Sequence, residues 1–153
     1  MRTLKISIIV LLALAAIFFL GPRMPEPTLN KELPVITGSV ENYVASIENS
    51  VKTRPGCESK IVWANDSLKN QTEYVLLYLH GFSASRREGY PVTENFAKQF
   101  GCNAYLARLA SHGLQTDNPL IDMTPDRLYE SAKEALVVAQ QLGQKVIVMG
   151  TST

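Results

Sequence analysis

The chain has 153 residues, of which 46% are hydrophobic and 19% are charged, and its formal net charge is +1 at pH 7. This near neutrality argues against a nucleic-acid-binding protein, which would need a concentrated basic surface. The hydrophobic content also excludes a disordered, low-complexity chain. We therefore expect a folded domain.

The N-terminal segment, residues 1–20, has the layout of a secretory signal or a membrane anchor. Arg2 and Lys5 precede an apolar run from Ile6 to Leu20 that only Ser7 interrupts, and positive charge before an apolar run is typical of both. As a helix this run would cover about 22 Å, less than the roughly 30 Å of a hydrocarbon core, which favours a cleaved signal.

No small-residue cleavage site follows the apolar run, however, and this favours an uncleaved anchor helix that contacts the membrane through residues 6–20. The positive N-terminus would then leave the rest of the chain extracytoplasmic, which is the periplasm in a Gram-negative bacterium. Cleavage would instead give a secreted protein.

Residues 21–38 contain four of the eight prolines and predict an extended, semi-rigid spacer before a domain at 39–153. In an oxidising compartment Cys57 and Cys102 could pair as a disulfide, and two buried thiols remain an equal alternative. Together with His80 and His112, these cysteines lack the close spacing of metal ligands, so we predict no metal and no cofactor.

From Tyr74 to Met149, predicted strands and helices alternate. Caps and helical periodicity predict helices, and continuous apolar runs predict strands that are buried on both faces. The predicted helices begin after Ser39 and cover Gly89–Phe100 and Thr124–Leu142, and the predicted strands cover Ile61–Ala64, Tyr74–Leu79, Asn103–Leu109 and Lys145–Met149. This order predicts an α/β fold with a mostly parallel sheet and helices on both of its faces.

A candidate nucleophile follows the last predicted strand. Gly150, Thr151 and Ser152 match the first half of the G-x-S-x-G nucleophile elbow. A serine that projects its hydroxyl from such a sharp turn takes a strained backbone conformation, and the residue two positions earlier must be small.

A second element of hydrolase chemistry follows the Tyr74–Leu79 strand, where His80, Gly81 and Phe82 occur. A glycine here allows a sharp turn that leaves a backbone N–H pointing into a crevice. Acyl transfer needs two such donors for the oxyanion, and the pattern predicts the N–H groups of Phe82 and Thr153.

In these motifs the sequence resembles the α/β-hydrolases of the carboxylesterase and monoglyceride-lipase-like kind, including their serine-aminopeptidase-like branch. The resemblance implies the N-terminal part of that fold, with Ser152 as nucleophile, Phe82 and Thr153 as oxyanion donors, and His80 and His112 as loop-supporting residues. It also implies an acid and a histidine after Ser152, so we expect the domain at 39–153 to be partial and inactive alone. The matching segments are residues 79–82, 108–113, 124–142 and 146–152.

The function predicted from this resemblance is hydrolysis of a small-molecule or lipid carboxylic ester through an acyl-enzyme on Ser152. An acyltransferase or a peptidase could use the same serine, and a membrane-tethered, non-catalytic binding module is a further alternative. A nucleotide-binding domain is disfavoured because no glycine-rich phosphate motif is present. Arg86 and Arg87 lie near the expected mouth of the site, where a solvated pair is favoured over contact with an anionic substrate.

Overall fold

The computed structural model describes residues 2–21, 23 and 26–152. The first two elements are helices and the next two are strands, and after these helices and strands alternate, with a short 3₁₀ turn at Arg86–Gly89. The helices are α1 (Arg2–Leu20), α2 (Val40–Asn49), α3 (Val92–Phe100) and α4 (Pro125–Leu142), and the strands are β1 (Lys60–Val62), β2 (Thr72–Leu79), β3 (Asn103–Leu106) and β4 (Gly143–Gly150).

The helix boundaries follow from local capping. The Ser39 hydroxyl accepts a hydrogen bond from the Asn42 N–H at 3.2 Å, and the Thr124 hydroxyl accepts one from the Arg127 N–H, also at 3.2 Å. Each bond satisfies a donor that the first helical turn leaves free. Gly101 ends α3 with φ 59°, in the left-handed region where glycine is favoured. The three predicted helices are therefore confirmed at these ends.

The sheet is mixed, and the predicted mostly parallel α/β-hydrolase fold is therefore wrong. The strand order is β1-β3-β2-β4, in which β2 pairs in parallel with β3 and β4, while β1 pairs antiparallel with β3. A parallel connection needs a crossover of about a dozen residues or more, usually containing a helix. The link between β1 and β2, residues 63–71, is shorter and holds no helix, so β1 joins the edge in the opposite direction.

The predicted membrane-anchor helix is also wrong. None of the described helices combines the length and the apolar character that a membrane crossing requires. The apolar part of α1 runs only from Ile6 to Leu20, about 22 Å of helix, and its large side chains are exposed. The alternative of a cleaved secretory signal stays a prediction.

The central strand β2 divides the core into two faces. Val75 and Leu77 point to one side, where they pack with α2 and α4, while Leu76 and Tyr78 point to the other side and pack with α3. All four are at most 1% exposed. Strand β2 is central in the sheet, because it has a parallel strand on each side.

Strand β4 is less buried than its apolar sequence predicts. Within the described residues it pairs only with β2, and the Val148 side chain is 58% exposed. Burial of an apolar strand on both faces depends on the elements beside it as well as on its own composition.

The described part of the proline-rich segment lies along α4. The Lys133 ammonium donates to the carbonyls of Asn30 and Glu32, and Lys133 is only 7% exposed. Near the start of α4, the Asp126 carboxylate accepts the Thr28 N–H at 2.7 Å. These bonds hold residues 28–32 against one helix.

Candidate active site

Three turns meet at one edge of the sheet. Strands β2, β3 and β4 are mutually parallel, so their carboxyl ends lie at the same edge, where ligands bind in α/β sheets. The turns after these strands enclose a cavity of about 220 Å³, here called the serine cavity. It is lined by His80, Gly81, Phe82, Leu109, His112, Met123, Leu128 and Ser152. The structure thus brings together Ser152, the glycine turn and both histidines.

Ser152 has an unusual backbone conformation at the end of β4. The Thr151 N–H donates to the Leu79 carbonyl at 3.1 Å, next to the register pair of Gly150 and Leu79, so the parallel ladder continues up to the turn. Ser152 then adopts φ 53°, in the left-handed region that non-glycine residues seldom occupy. Its side chain is exposed and makes no hydrogen bond to any described residue. Such strain is found at turns that present a reactive side chain.

Gly81 lies directly against the turn that carries Ser152. A Cβ atom at Gly81 would be 2.8 Å from the Thr151 carbonyl oxygen, so only glycine permits this approach. The next residue, Phe82, has a backbone N–H without a hydrogen-bond partner among the described residues. A free N–H at this position is available to a developing oxyanion. The second proposed donor, Thr153, lies outside the described residues.

Glu88 links the glycine turn to the serine turn, although no sequence pattern pointed to it. The Glu88 carboxylate accepts the Gly81 N–H at 2.8 Å and the Tyr78 hydroxyl at 3.2 Å. The Tyr78 oxygen also lies 3.0 Å from the Thr151 hydroxyl. Burial raises the pKa of Tyr78, so its phenol stays protonated and can donate. No spacing motif signals Glu88, because its main partner is a backbone group.

His80 is fully buried, and both of its ring nitrogens are engaged. The Leu109 N–H donates to Nε2 at 3.1 Å, which leaves the proton on Nδ1 and lets Nδ1 donate to the Gly81 carbonyl at 2.9 Å. Burial lowers the pKa of His80 and so favours this neutral form. His80 therefore connects the turns after β2 and β3, and accepting a proton would break its bond to Leu109.

His112 differs because one of its nitrogens is unused. It is 2% exposed, and its Nδ1 donates to the Ala110 carbonyl at 2.8 Å, while the buried Nε2 has no hydrogen-bond partner. The preceding residue, Ser111, has φ 64° and a buried hydroxyl that is also unpartnered. Buried polar atoms without partners are uncommon and costly. Together they make this turn a place where a bound molecule could supply the missing bonds.

The remaining candidate residues do not line the serine cavity. Arg86 donates from its Nε to the Glu58 carbonyl and Arg87 is exposed, and neither lines the cavity. Cys57 and Cys102 are free thiols, and burial raises the pKa of Cys102. Within the described residues, no group of three or more His, Cys, Asp or Glu side chains could hold a metal ion.

The comparisons with known proteins do not identify a family. No protein-family model matches the chain, and no curated protein matches it either. The resemblance to hydrolases therefore depends on the motifs alone and stays a prediction.

Proposed function

We propose that the protein is a serine hydrolase that cleaves carboxylic esters through an acyl-enzyme on Ser152. The observation that carries this proposal is the meeting of Ser152, held at φ 53°, with the glycine turn at Gly81 and Phe82 in one cavity of about 220 Å³. A strained serine beside a free backbone N–H is the arrangement that acyl transfer requires.

The reaction proposed for this site has two steps. The Ser152 oxygen attacks the ester carbonyl carbon while its proton passes to a base, and the carbonyl oxygen becomes an oxyanion that accepts the Phe82 N–H. The carbon–oxygen bond to the alcohol then breaks, and the alcohol leaves with a proton. Water next attacks the acyl group on Ser152, which releases the carboxylic acid and restores the hydroxyl.

The cavity walls support an acyl substrate. Leu109, Met123, Leu128 and Phe82 supply apolar surface beside the serine, and such a surface suits the acyl chain of a small ester or a lipid. The reaction needs a general base for the Ser152 proton, and we assign that role to no described residue. His80 is unsuited to this role, because both of its nitrogens are already bonded.

Covalent labelling tests the proposed nucleophile. The wild-type protein is treated with a fluorophosphonate probe, and the modified peptide is identified by mass spectrometry. We expect one label, on Ser152, because an activated serine reacts with this probe far faster than an ordinary hydroxyl. Ser152→Ala should abolish the label and lower ester hydrolysis by at least about a thousandfold.

Ser67→Ala is the matched control, since Ser67 is exposed and lines neither the serine cavity nor the cavity beside it. This variant should keep the label and most of the activity. A wild-type protein that folds but takes up no label, with hydrolysis unchanged in Ser152→Ala, would favour the non-catalytic binding module and reject the proposal.

A further inference from the structure

A second cavity adjoins the serine cavity. It has a volume of about 210 Å³, and its polar wall includes Arg54, Cys57, Ser83 and Ser85. We call it the arginine cavity. His112 lines both cavities, and Phe82 of the serine cavity is followed directly by Ser83 of the arginine cavity. The two cavities therefore lie on either side of one shared wall.

Their linings differ in chemical character. The serine cavity has apolar walls, whereas the arginine cavity has a cation and two hydroxyl side chains, and its described lining contains no acidic residue. An ester has an acyl part and an alcohol part that extend in different directions from the carbonyl carbon. A reactive serine in an apolar cavity that adjoins a polar cavity suits a substrate with an apolar acyl part and a polar alcohol part.

Arg54 is the cation of this cavity and is not neutralised. No acidic side chain of the described residues forms an ion pair with it. Its backbone is held firmly, because the Arg54 N–H donates to the Gly113 carbonyl at 2.8 Å and its carbonyl accepts the Cys57 N–H at 3.0 Å. The base of the side chain is thus fixed at the cavity, while the guanidinium is free to bind an anion bidentately.

The turn that separates the cavities is tightly constrained. Gly113 has φ 66°, and a Cβ atom there would lie 2.7 Å from the Cβ of Cys57. The loop that carries Arg54 therefore lies close against the turn that carries His112, and the bond from the Arg54 N–H to the Gly113 carbonyl joins them. The unpartnered Nε2 of His112 lies in the same wall and adds an unused polar group between the two cavities.

We propose that the arginine cavity binds the alcohol part of the substrate and that this part carries an anionic group, a carboxylate or a phosphate, which pairs with Arg54. The proposal rests on the proposed esterase function. It assigns the acyl chain to the serine cavity and the anion to the arginine cavity, and it makes Arg54 a specificity-determining residue.

Matched esters test the proposal in the wild-type protein and its variants. The substrates are 4-(butanoyloxy)benzoate, 4-(butanoyloxy)phenyl phosphate and the neutral 4-(butanoyloxy)benzamide. We expect Arg54→Gln to lower kcat/KM about tenfold for at least one of the two anionic esters, which is the effect of losing one charge-assisted hydrogen bond. The kcat/KM for the neutral ester should stay unchanged. For each ester, kcat/KM is compared between the variant and the wild type, so the intrinsic reactivity of the ester cancels. The anionic ester whose kcat/KM falls more carries the group that Arg54 binds.

Lys98→Gln is the control, since Lys98 is an exposed cation of α3 and lines neither the arginine cavity nor the serine cavity. This variant should leave kcat/KM unchanged for all three esters. An equal loss on the neutral ester, or no loss on either anionic ester, would overturn the proposal while Ser152 still takes up the fluorophosphonate. Absence of both labelling and hydrolysis in the wild type would instead reject the esterase function, and this inference with it.

Discussion

Glu88 joins the two turns that the proposed reaction uses. Its carboxylate accepts the Gly81 N–H at 2.8 Å and the Tyr78 hydroxyl at 3.2 Å, and Tyr78 in turn contacts the Thr151 hydroxyl at 3.0 Å. A donor helps an oxyanion only if it is held in place before the reaction. We regard Glu88 as a positioning residue for the Phe82 N–H.

Substitution of Glu88 tests this role. Glu88→Ala removes the acceptor for Gly81, and we expect kcat to fall about tenfold with little change in KM, because a displaced donor weakens transition-state binding. Glu88→Gln keeps one acceptor oxygen, so its kcat should lie between that of Glu88→Ala and that of the wild type. The measurements are steady-state kinetics and the rate of fluorophosphonate labelling, with thermal unfolding as the control for stability. A destabilised Glu88→Ala protein that is labelled at the wild-type rate would show a purely structural role.

At the scale of elements, His80 connects the ends of β2 and β3. Its Nε2 accepts the Leu109 N–H at 3.1 Å, and its Nδ1 donates to the Gly81 carbonyl. Only the neutral ring can make both bonds. Since burial lowers the pKa of His80 in the folded protein, the unfolded chain binds a proton more readily than the folded one near its ordinary value of about 6.5.

This difference predicts a pH dependence of stability. The free energy of unfolding should be unaffected well above pH 6.5 and should fall as the pH drops through that value, because the unfolded state then takes up the extra proton. His80→Gln keeps an acceptor for Leu109 but does not titrate. We expect this substitution to lower the free energy of unfolding by about 1–3 kcal/mol at pH 8. In urea unfolding, the variant should lose less stability than the wild type between pH 8 and pH 5. An unchanged pH dependence in this variant would contradict the assignment.

The sequence predicted the positions of the elements better than their pairing. Ser39, Thr124 and Gly101 mark helix ends through bonds within one turn, so local sequence was sufficient. The antiparallel contact of β1 with β3 and the exposure of Val148 depend on distant neighbours, and no local pattern encodes them. Tertiary context therefore overrode the predicted parallel sheet.

The candidate site shows the same limit. Ser152, Gly81 and Phe82 were predicted because their motifs are local in sequence. Glu88 and Arg54 were missed because each acts across the fold: one bonds a backbone N–H, and the other lines a cavity that forms only when residues 54–57 meet the turn at Gly113.

At the scale of the whole molecule, a buried ion pair holds the layers beside the site. Arg108, near the end of β3, donates to both carboxylate oxygens of Glu48 in α2, at 3.2 and 3.0 Å, and the two side chains are 7% and 12% exposed. The Ser59 hydroxyl donates to the same carboxylate at 2.8 Å and accepts the Arg108 N–H. This network fixes the chain shortly before the turn at His112.

The central claim is that these layers present Ser152 as a covalent nucleophile, and trapping the intermediate tests it most directly. The protein, as its gene encodes it, is mixed with 4-nitrophenyl acetate, quenched in acid within the first turnover and digested for peptide mass spectrometry. We predict one acetyl group on the peptide that contains Ser152, and none in Ser152→Ala. Hydrolysis of the ester without acetylation of Ser152, or acetylation of another residue that persists in Ser152→Ala, would contradict the account.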